Sequence, residues 1–335
     1  ANVQQPVLSP LAEFVAPREV VSRELLRAFY ANPVAAFELY DASGAFEILM
    51  PQLLKMKGCP QPEEFHNEGD VWTHTRMALQ ALGSAEYKKV FGDPHPRPLP
   101  KGEGVVRASP LPAGEGQGEG IDPHCNALLI MAILLHDVGK PPMLRTPEEH
   151  GVDRVRFDEH DTVGAEIARE IARRLVLSIM VEGPLHVDYG KLGWLIKHHL
   201  LLLHTKAEDF KASTVEKYFF DPKNPGEELL RLAFCDGSAA IPRGQATAES
   251  GLATAKPNLQ NLYDLLARIK RMEKAVREKL IMVKPLVNGH EIMELLKIPA
   301  GPGVGEILAA LREEQLSARV TSKTEAREWL RKQYQ

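Results

Sequence analysis

A chain of 335 residues, 44% apolar and 26% charged, can bury a substantial core and exceeds the usual single-domain length. Its net charge of −4 argues against a generically basic nucleic-acid binder, though not against a local basic surface. Cys59, Cys125 and Cys235 are widely separated and show no C-x-x-C spacing, which disfavours a disulfide framework and predicts reduced thiols in a reducing cytoplasm.

The first ten residues have no basic stretch followed by an apolar one, so no secretory signal is predicted. The chain begins at Ala1 rather than Met, which leaves room for an upstream portion. Glu24 to Phe37 and Ala45 to Leu54 carry apolar residues at helical spacing, punctuated by Pro33 and Pro51, and predict a helical lead-in over residues 1–60. A helix follows over Val71 to Leu82. From Pro94 to Gly120 the composition turns to Pro and Gly, with the near-duplicates Pro98 to Gly104 and Pro110 to Gly116. Such a segment has too little apolar surface to offset its ordering entropy, so residues 94–120 are expected to be a disordered insertion.

Ala127 to Asp137 is apolar on nearly all sides and stops at Pro141-Pro142; the run is far too short to span a bilayer and predicts a buried helix with no membrane role. Further helices are expected over Asp161 to Leu177, Asp188 to His204, Glu227 to Ala239 and Leu259 to Leu280. Short ones follow Asn288, Gly303 and Ser322, where Asn288 to Glu291 and Ser322 to Glu325 have capping-box spacing. No convincing alternating run is present. The fold class is all-α: a lead-in over 1–60, a central helical bundle over 61–245 and a helical tail over 255–335.

The chemistry lies in ionisable residues on these apolar segments: His74, His136-Asp137, His160, His198-His199 and Asp236. Helical geometry puts His74 on a face with Val71, Ala78 and Ala81, and Asp236 with Leu229, Leu232 and Ala233, so both point inward. His160 shares a face with Val163, Gly164, Ile167 and Ile171. Of the adjacent pair, His199 falls with Leu192, Leu195 and Ile196, His198 with Trp194 and Leu195, and periodicity does not choose between them. A buried polar group without a partner costs about 2–7 kcal/mol. Neither Asp137 nor Asp236 has an obvious arginine on its own face, so shared divalent metal is the expected compensation. Imidazole and carboxylate suit Mn, Fe, Co, Ni, Mg or Zn, and two ions bridged by Asp137 would activate phosphoryl chemistry. Lys140, three residues beyond Asp137, is a candidate catalytic and phosphate-binding cation. Asp70 is either a second partner orienting His74 or a helix N-cap. His66 and His204 are weaker candidates, Arg145 and Arg243 weaker still, and His95 and His290 are read as non-catalytic.

The ordered set of His74, the His136-Asp137 of Leu-Leu-His-Asp-Val-Gly-Lys, and Asp236 resembles the pattern of HD-domain metal-dependent phosphohydrolases. His160 and His198-His199 resemble the residues that complete a second metal site in dinuclear members. A narrower resemblance joins His66-Asn-Glu-Gly-Asp-Val-Trp-Thr-His74-Thr, the HDVGKP run and Phe157 to Glu166 to the HD portion of bacterial tRNA nucleotidyltransferases, the CCA-adding enzymes. Arg23 to Leu54 and Leu286 to Arg331 are similar to that family's flanking regions. These residues contain neither a Gly-Gly-x-x-Arg-Asp stretch nor an Asp-x-Asp strand motif, so nucleotide addition is not expected of them. The resemblance implies a cytoplasmic metal-dependent phosphatase or phosphodiesterase acting on a nucleotide or an RNA 3′ end, such as a 2′,3′-cyclic phosphate, with tRNA as a partner. Two alternatives stay open: a non-catalytic RNA-binding or regulatory module, and a fragment of a tRNA nucleotidyltransferase.

Overall fold

The computed structural model describes residues 16–92, 126–179, 183–242, 259–277, 285–317 and 319–335. The expected insertion at 94–120 with His95, together with Cys125, Arg243 and the side chain of His204, lies outside the described residues. Among those described, the chain is all-α, and its only extended pairing is an isolated antiparallel bridge between Arg145 and Arg156. No described helix is long and apolar enough to cross a membrane.

The chain divides into two compact units, residues 1–199 with 231–257 and residues 200–230 with 258–335. The first opens with α1 (Arg18–Ala31), α2 (Pro33–Ala42), α3 (Ala45–Leu49) and α4 (Pro51–Leu54). Prolines at the first positions of α2 and α4 start those helices, where a missing N–H costs nothing. α5 (Val71–Ala81) and α6 (Ala85–Phe91) are capped by Asp70 and Ser84. The centre is α7 (Ala127–Leu135), whose nine residues are all buried, which explains an apolar sequence on every side. α1, α5 and α11 pack around it.

After α7 the chain makes the short helices α8 (Lys140–Met143) and α9 (Pro147–His150), then α10 (His160–Arg174) and α11 (Tyr189–His198). α10 and α11 form the most extensive helix pair of the unit. The expected helix over Asp188 to His204 is interrupted: it ends at His198, and α12 (Leu201–His204) begins the second unit, followed by α13 (Ala212–Val215) and one π-helical turn at Glu216–Phe220. α14 (Gly226–Ala239) starts in the second unit and returns the chain to the first from Arg231 onward. α15 (Gln260–Arg277), α16 (Gly289–Leu296), α17 (Pro302–Leu316) and α18 (Lys323–Tyr334) complete the second unit. There Ile292, Val304, Leu311, Val320, Ala326 and Leu330 form one buried cluster. The expected capping box at Asn288 is present in both directions.

Candidate metal centre

α5, α7 with the turn that follows it, the start of α10, the end of α11 and α14 each bring one or two polar side chains to the same place inside the first unit. His74 and His136 are fully buried, and Asp137, His160, His199 and Asp236 nearly so. They form two groups that could hold a metal ion, His74, His136 and Asp236, and Asp137, His160 and His199; a third such group among the described residues, His66, Glu68 and His74, shares His74. Within each group the potential ligand atoms lie within 4.8 Å of one another.

Backbone carbonyls set the tautomer of three of these rings. Nδ1–H of His136 donates to the Ile133 carbonyl at 2.8 Å, that of His160 to Phe157 at 2.7 Å and that of His199 to Ile196 at 2.6 Å. Each ring therefore turns Nε2 inward as an acceptor. These nitrogens meet carboxylate oxygens, which are acceptors as well: His136 Nε2 lies 3.2 Å from Asp137 Oδ2 and 3.7 Å from Asp236 Oδ1. His160 and His199 Nε2 lie 3.7 and 3.8 Å from Asp137 Oδ1. The Nε2 atoms of His136 and His160 are buried without a hydrogen-bond partner. At Asp137 the rings of His160 and His199, both disfavoured as imidazolium by burial, set acceptor against acceptor; a cation between them would relieve this, and the donor set of imidazole and carboxylate fits a divalent metal.

His74 is held from both sides. Its Nε2 lies 2.9 Å from Asp236 Oδ1, and its Nδ1–H donates to Glu68 Oε1 at 2.8 Å. Burial disfavours the imidazolium, but the bonds to Asp236 and Glu68 outweigh it and raise the His74 pKa to about 9. Burial lowers His199 to about 4, so this ring is neutral. Burial also pushes the carboxyls of Asp137 and Asp236 up, yet His136 and Lys140 hold the first, and His74 and His136 the second, well below the usual carboxylate range.

Asp137 does have a cationic neighbour: Lys140 Nζ stands 2.7 Å from Asp137 Oδ2 and donates to Gln61 Oε1 at 2.8 Å, nearly buried. The partner absent from its helix face comes from the following turn, so charge pairing of Asp137 needs metal less than the sequence suggests. The metal argument rests on the imidazole nitrogens instead.

Of the adjacent histidines, only His199 reaches the centre. His198 Nδ1–H donates to the Trp194 carbonyl at 2.8 Å, and its ring lies 4.6 Å from the Trp194 ring, outside both groups. Asp70 is the N-cap of α5: its carboxylate accepts from the Thr73 amide and hydroxyl and from the Gly58 amide, and it is not the carboxylate that holds His74. That contact belongs to Glu68, which also accepts from His66 Nδ1 at 2.7 Å. Glu68 and Gln61 sit in the irregular segment before α5, where no periodicity marks them; the only signal is a carboxylate six residues before His74.

Two glycines and one left-handed residue lie where the turn after Asp137 packs on the start of α10. Gly139 packs against the backbone of His160 and Gly164 at the start of α10, and Glu159, immediately before His160, adopts a left-handed conformation with φ 63°. Non-glycine residues take this conformation at a cost, and such strain clusters at functional sites.

The sequence of residues 116–236 matches the family model described as "HD domain". His74 lies outside that span, although the fold brings it to the same centre. The chain is 31% identical over 210 residues to the A-adding tRNA nucleotidyltransferase of Deinococcus radiodurans, covering 63% of this chain and 42% of that protein. It is 28% identical over 320 residues to the CC-adding tRNA nucleotidyltransferase of Thermus thermophilus, covering 95% and 57%. A bifunctional uridylyltransferase/uridylyl-removing enzyme of Ruegeria pomeroyi is 27% identical over 173 residues, covering 52% and 14%. The chain spans about half the length of the two tRNA nucleotidyltransferases. The protein carries an HD domain and is homologous to the A- and CC-adding tRNA nucleotidyltransferases over that length.

Proposed function

We propose that this protein is a metal-dependent phosphohydrolase whose substrate is a phosphoester at a nucleotide or RNA terminus, such as a 2′,3′-cyclic phosphate. The observation that carries this reading is the convergence of buried imidazole Nε2 acceptors on Asp137 and Asp236, with the tautomers of His136, His160 and His199 fixed by backbone carbonyls. His74, His136 and Asp236 would hold one ion, His160 and His199 a second, and Asp137 would face both. Divalent metal in such a site supplies Lewis-acid stabilisation of phosphoryl charge and eases deprotonation of water.

The protein's own groups complete the arrangement. Lys140, held by Gln61 at the edge of the Asp137 carboxylate, presents a buried ammonium where a substrate phosphate would gain negative charge. Burial disfavours the Asp137 carboxylate, but His136 and Lys140 oppose that effect and favour its charged form. The RNA-terminus assignment is supported by the tRNA-directed names of the two relatives. Metal analysis of protein purified without chelator, joined to a screen of phosphomonoesters, cyclic phosphates and nucleotides, tests the reading. Stoichiometric metal with turnover of one class supports it. Metal-free protein that gains neither metal nor activity on reconstitution ends it.

A second reading is favoured by the alignment of 95% of this chain with 57% of the CC-adding enzyme: these residues would then be the HD-containing part of a longer tRNA nucleotidyltransferase. The sequence encoded immediately upstream of Ala1 separates the two. A Gly-Gly-x-x-Arg-Asp stretch there would favour the longer enzyme.

A further inference from the structure

We infer that Glu68 is a positioning residue for the metal centre, fixing the ring of His74 and tying it to the end of the helix that carries Asp236; the inference rests on the metal reading above. The Glu68 side chain is nearly buried, and three hydrogen bonds to its carboxylate converge on that purpose. Oε1 receives Nδ1–H of His74 at 2.8 Å and Nδ1–H of His66 at 2.7 Å. Oε2 receives the backbone N–H of Ile241 at 2.9 Å, two residues beyond the end of α14. The neighbouring Asn67 amide donates to the Ile241 carbonyl at 2.7 Å, so residues 67 and 68 are zipped to one point of the chain.

The geometry joins His74 on α5 and Asp236 on α14, which are 162 residues apart in sequence. His74 is the one histidine of the two groups whose Nδ1 is held by a side chain rather than a carbonyl. A carboxylate on Nδ1–H fixes the tautomer with the lone pair on Nε2, aims the ring and raises its basicity as a ligand. Without it, the ring of His74 would be free to rotate or to take the tautomer whose Nε2 carries a proton and cannot bind metal.

The test is titration of Co²⁺ into chelator-stripped wild-type protein, Glu68→Ala, Glu68→Asp and His66→Ala, with melting of each metal-free protein in parallel. Loss of an outer-shell partner weakens metal binding by about 10–100-fold. Glu68→Ala is expected to show that loss, Glu68→Asp to recover most of it by restoring a charged acceptor, and His66→Ala to bind as wild type does. Should Glu68→Ala be too unstable to titrate, the Asp and His66 variants still decide: His66→Ala weakened as much as Glu68→Asp would show that the loop, and not the bond to His74, matters. A Glu68→Ala protein that melts lower but binds Co²⁺ like wild type would make Glu68 merely structural. Wild-type protein that binds no Co²⁺ would instead sink the metal reading itself.

Discussion

Gly139 and Gly164 meet with no side chain between them: a Cβ on Gly139 would stand 2.6 Å from the Gly164 amide nitrogen and closer still to the His160 carbonyl oxygen. The turn that carries Asp137 and Lys140 is thereby pressed onto the first turn of α10, which places His160 against Asp137. Gly139 has an ordinary φ of −82°, so its requirement is for space and not for an unusual backbone conformation.

Gly139→Ala therefore forces backbone against backbone, and the expected cost is about 1–3 kcal/mol, as for other overpacked sites. Denaturant unfolding should show the loss. Metal affinity should fall with it, because α10 can relieve the clash only by moving His160 away from Asp137. A variant that melts like wild type would show that the two segments can part without strain.

Replacing Asp137 by Asn keeps its shape while removing the charge that faces both groups of ligands. Binding of both ions should weaken together and phosphoester turnover should fall by about three orders of magnitude or more. His160→Ala should impair chiefly one ion. If Asp137→Asn retained full metal content and normal hydrolysis, the shared-carboxylate arrangement would be wrong.

The helical faces of His74, His160 and Asp236 were legible in the sequence because each lies among apolar residues at helical spacing, and the structure buries all three. Choosing between His198 and His199 needed the backbone: α11 ends at His198, but the apolar run Leu200 to Leu203 continues with no Gly or Pro to mark the break. Lys140 was legible as a cation near Asp137, and its direct pairing with that carboxylate was not, since the turn between them has no period. Gln61 and Glu68 escaped for the same reason: loop residues reach a site through tertiary path alone.

His199 and His198 provide a neighbour-pair control. His199→Ala removes an Nε2 that faces Asp137 at 3.8 Å, whereas His198→Ala removes a ring packed against Trp194. The first should weaken metal binding by at least about 10-fold, and the second should leave it unchanged, as read by Co²⁺ titration. Equal losses in both variants would mean that the end of α11 is rearranged in the metal-bound protein.

The metal-free protein should be most stable near pH 6.5 and lose stability on both sides. His199, lowered by burial from 6.5 to about 4, and His160, also lowered by burial, bind fewer protons folded than unfolded below pH 6.5. Stability from these two therefore falls as pH drops from 6.5 toward 4. His74 is the opposite case: burial opposes its charge, but Asp236 and Glu68 raise it from 6.5 to about 9, so its contribution is fully present below 6.5 and is lost as pH rises through 9. His136 is raised as well, burial being outweighed by Asp137, and adds to the alkaline decline. Metal reverses that limb, because it requires deprotonated imidazoles and its affinity grows as they lose their protons. Melting temperatures across pH 4 to 9.5, with chelator and with saturating Co²⁺, should diverge progressively above about pH 6.5. Parallel curves in that range would show that His74 and His136 do not meet the ion.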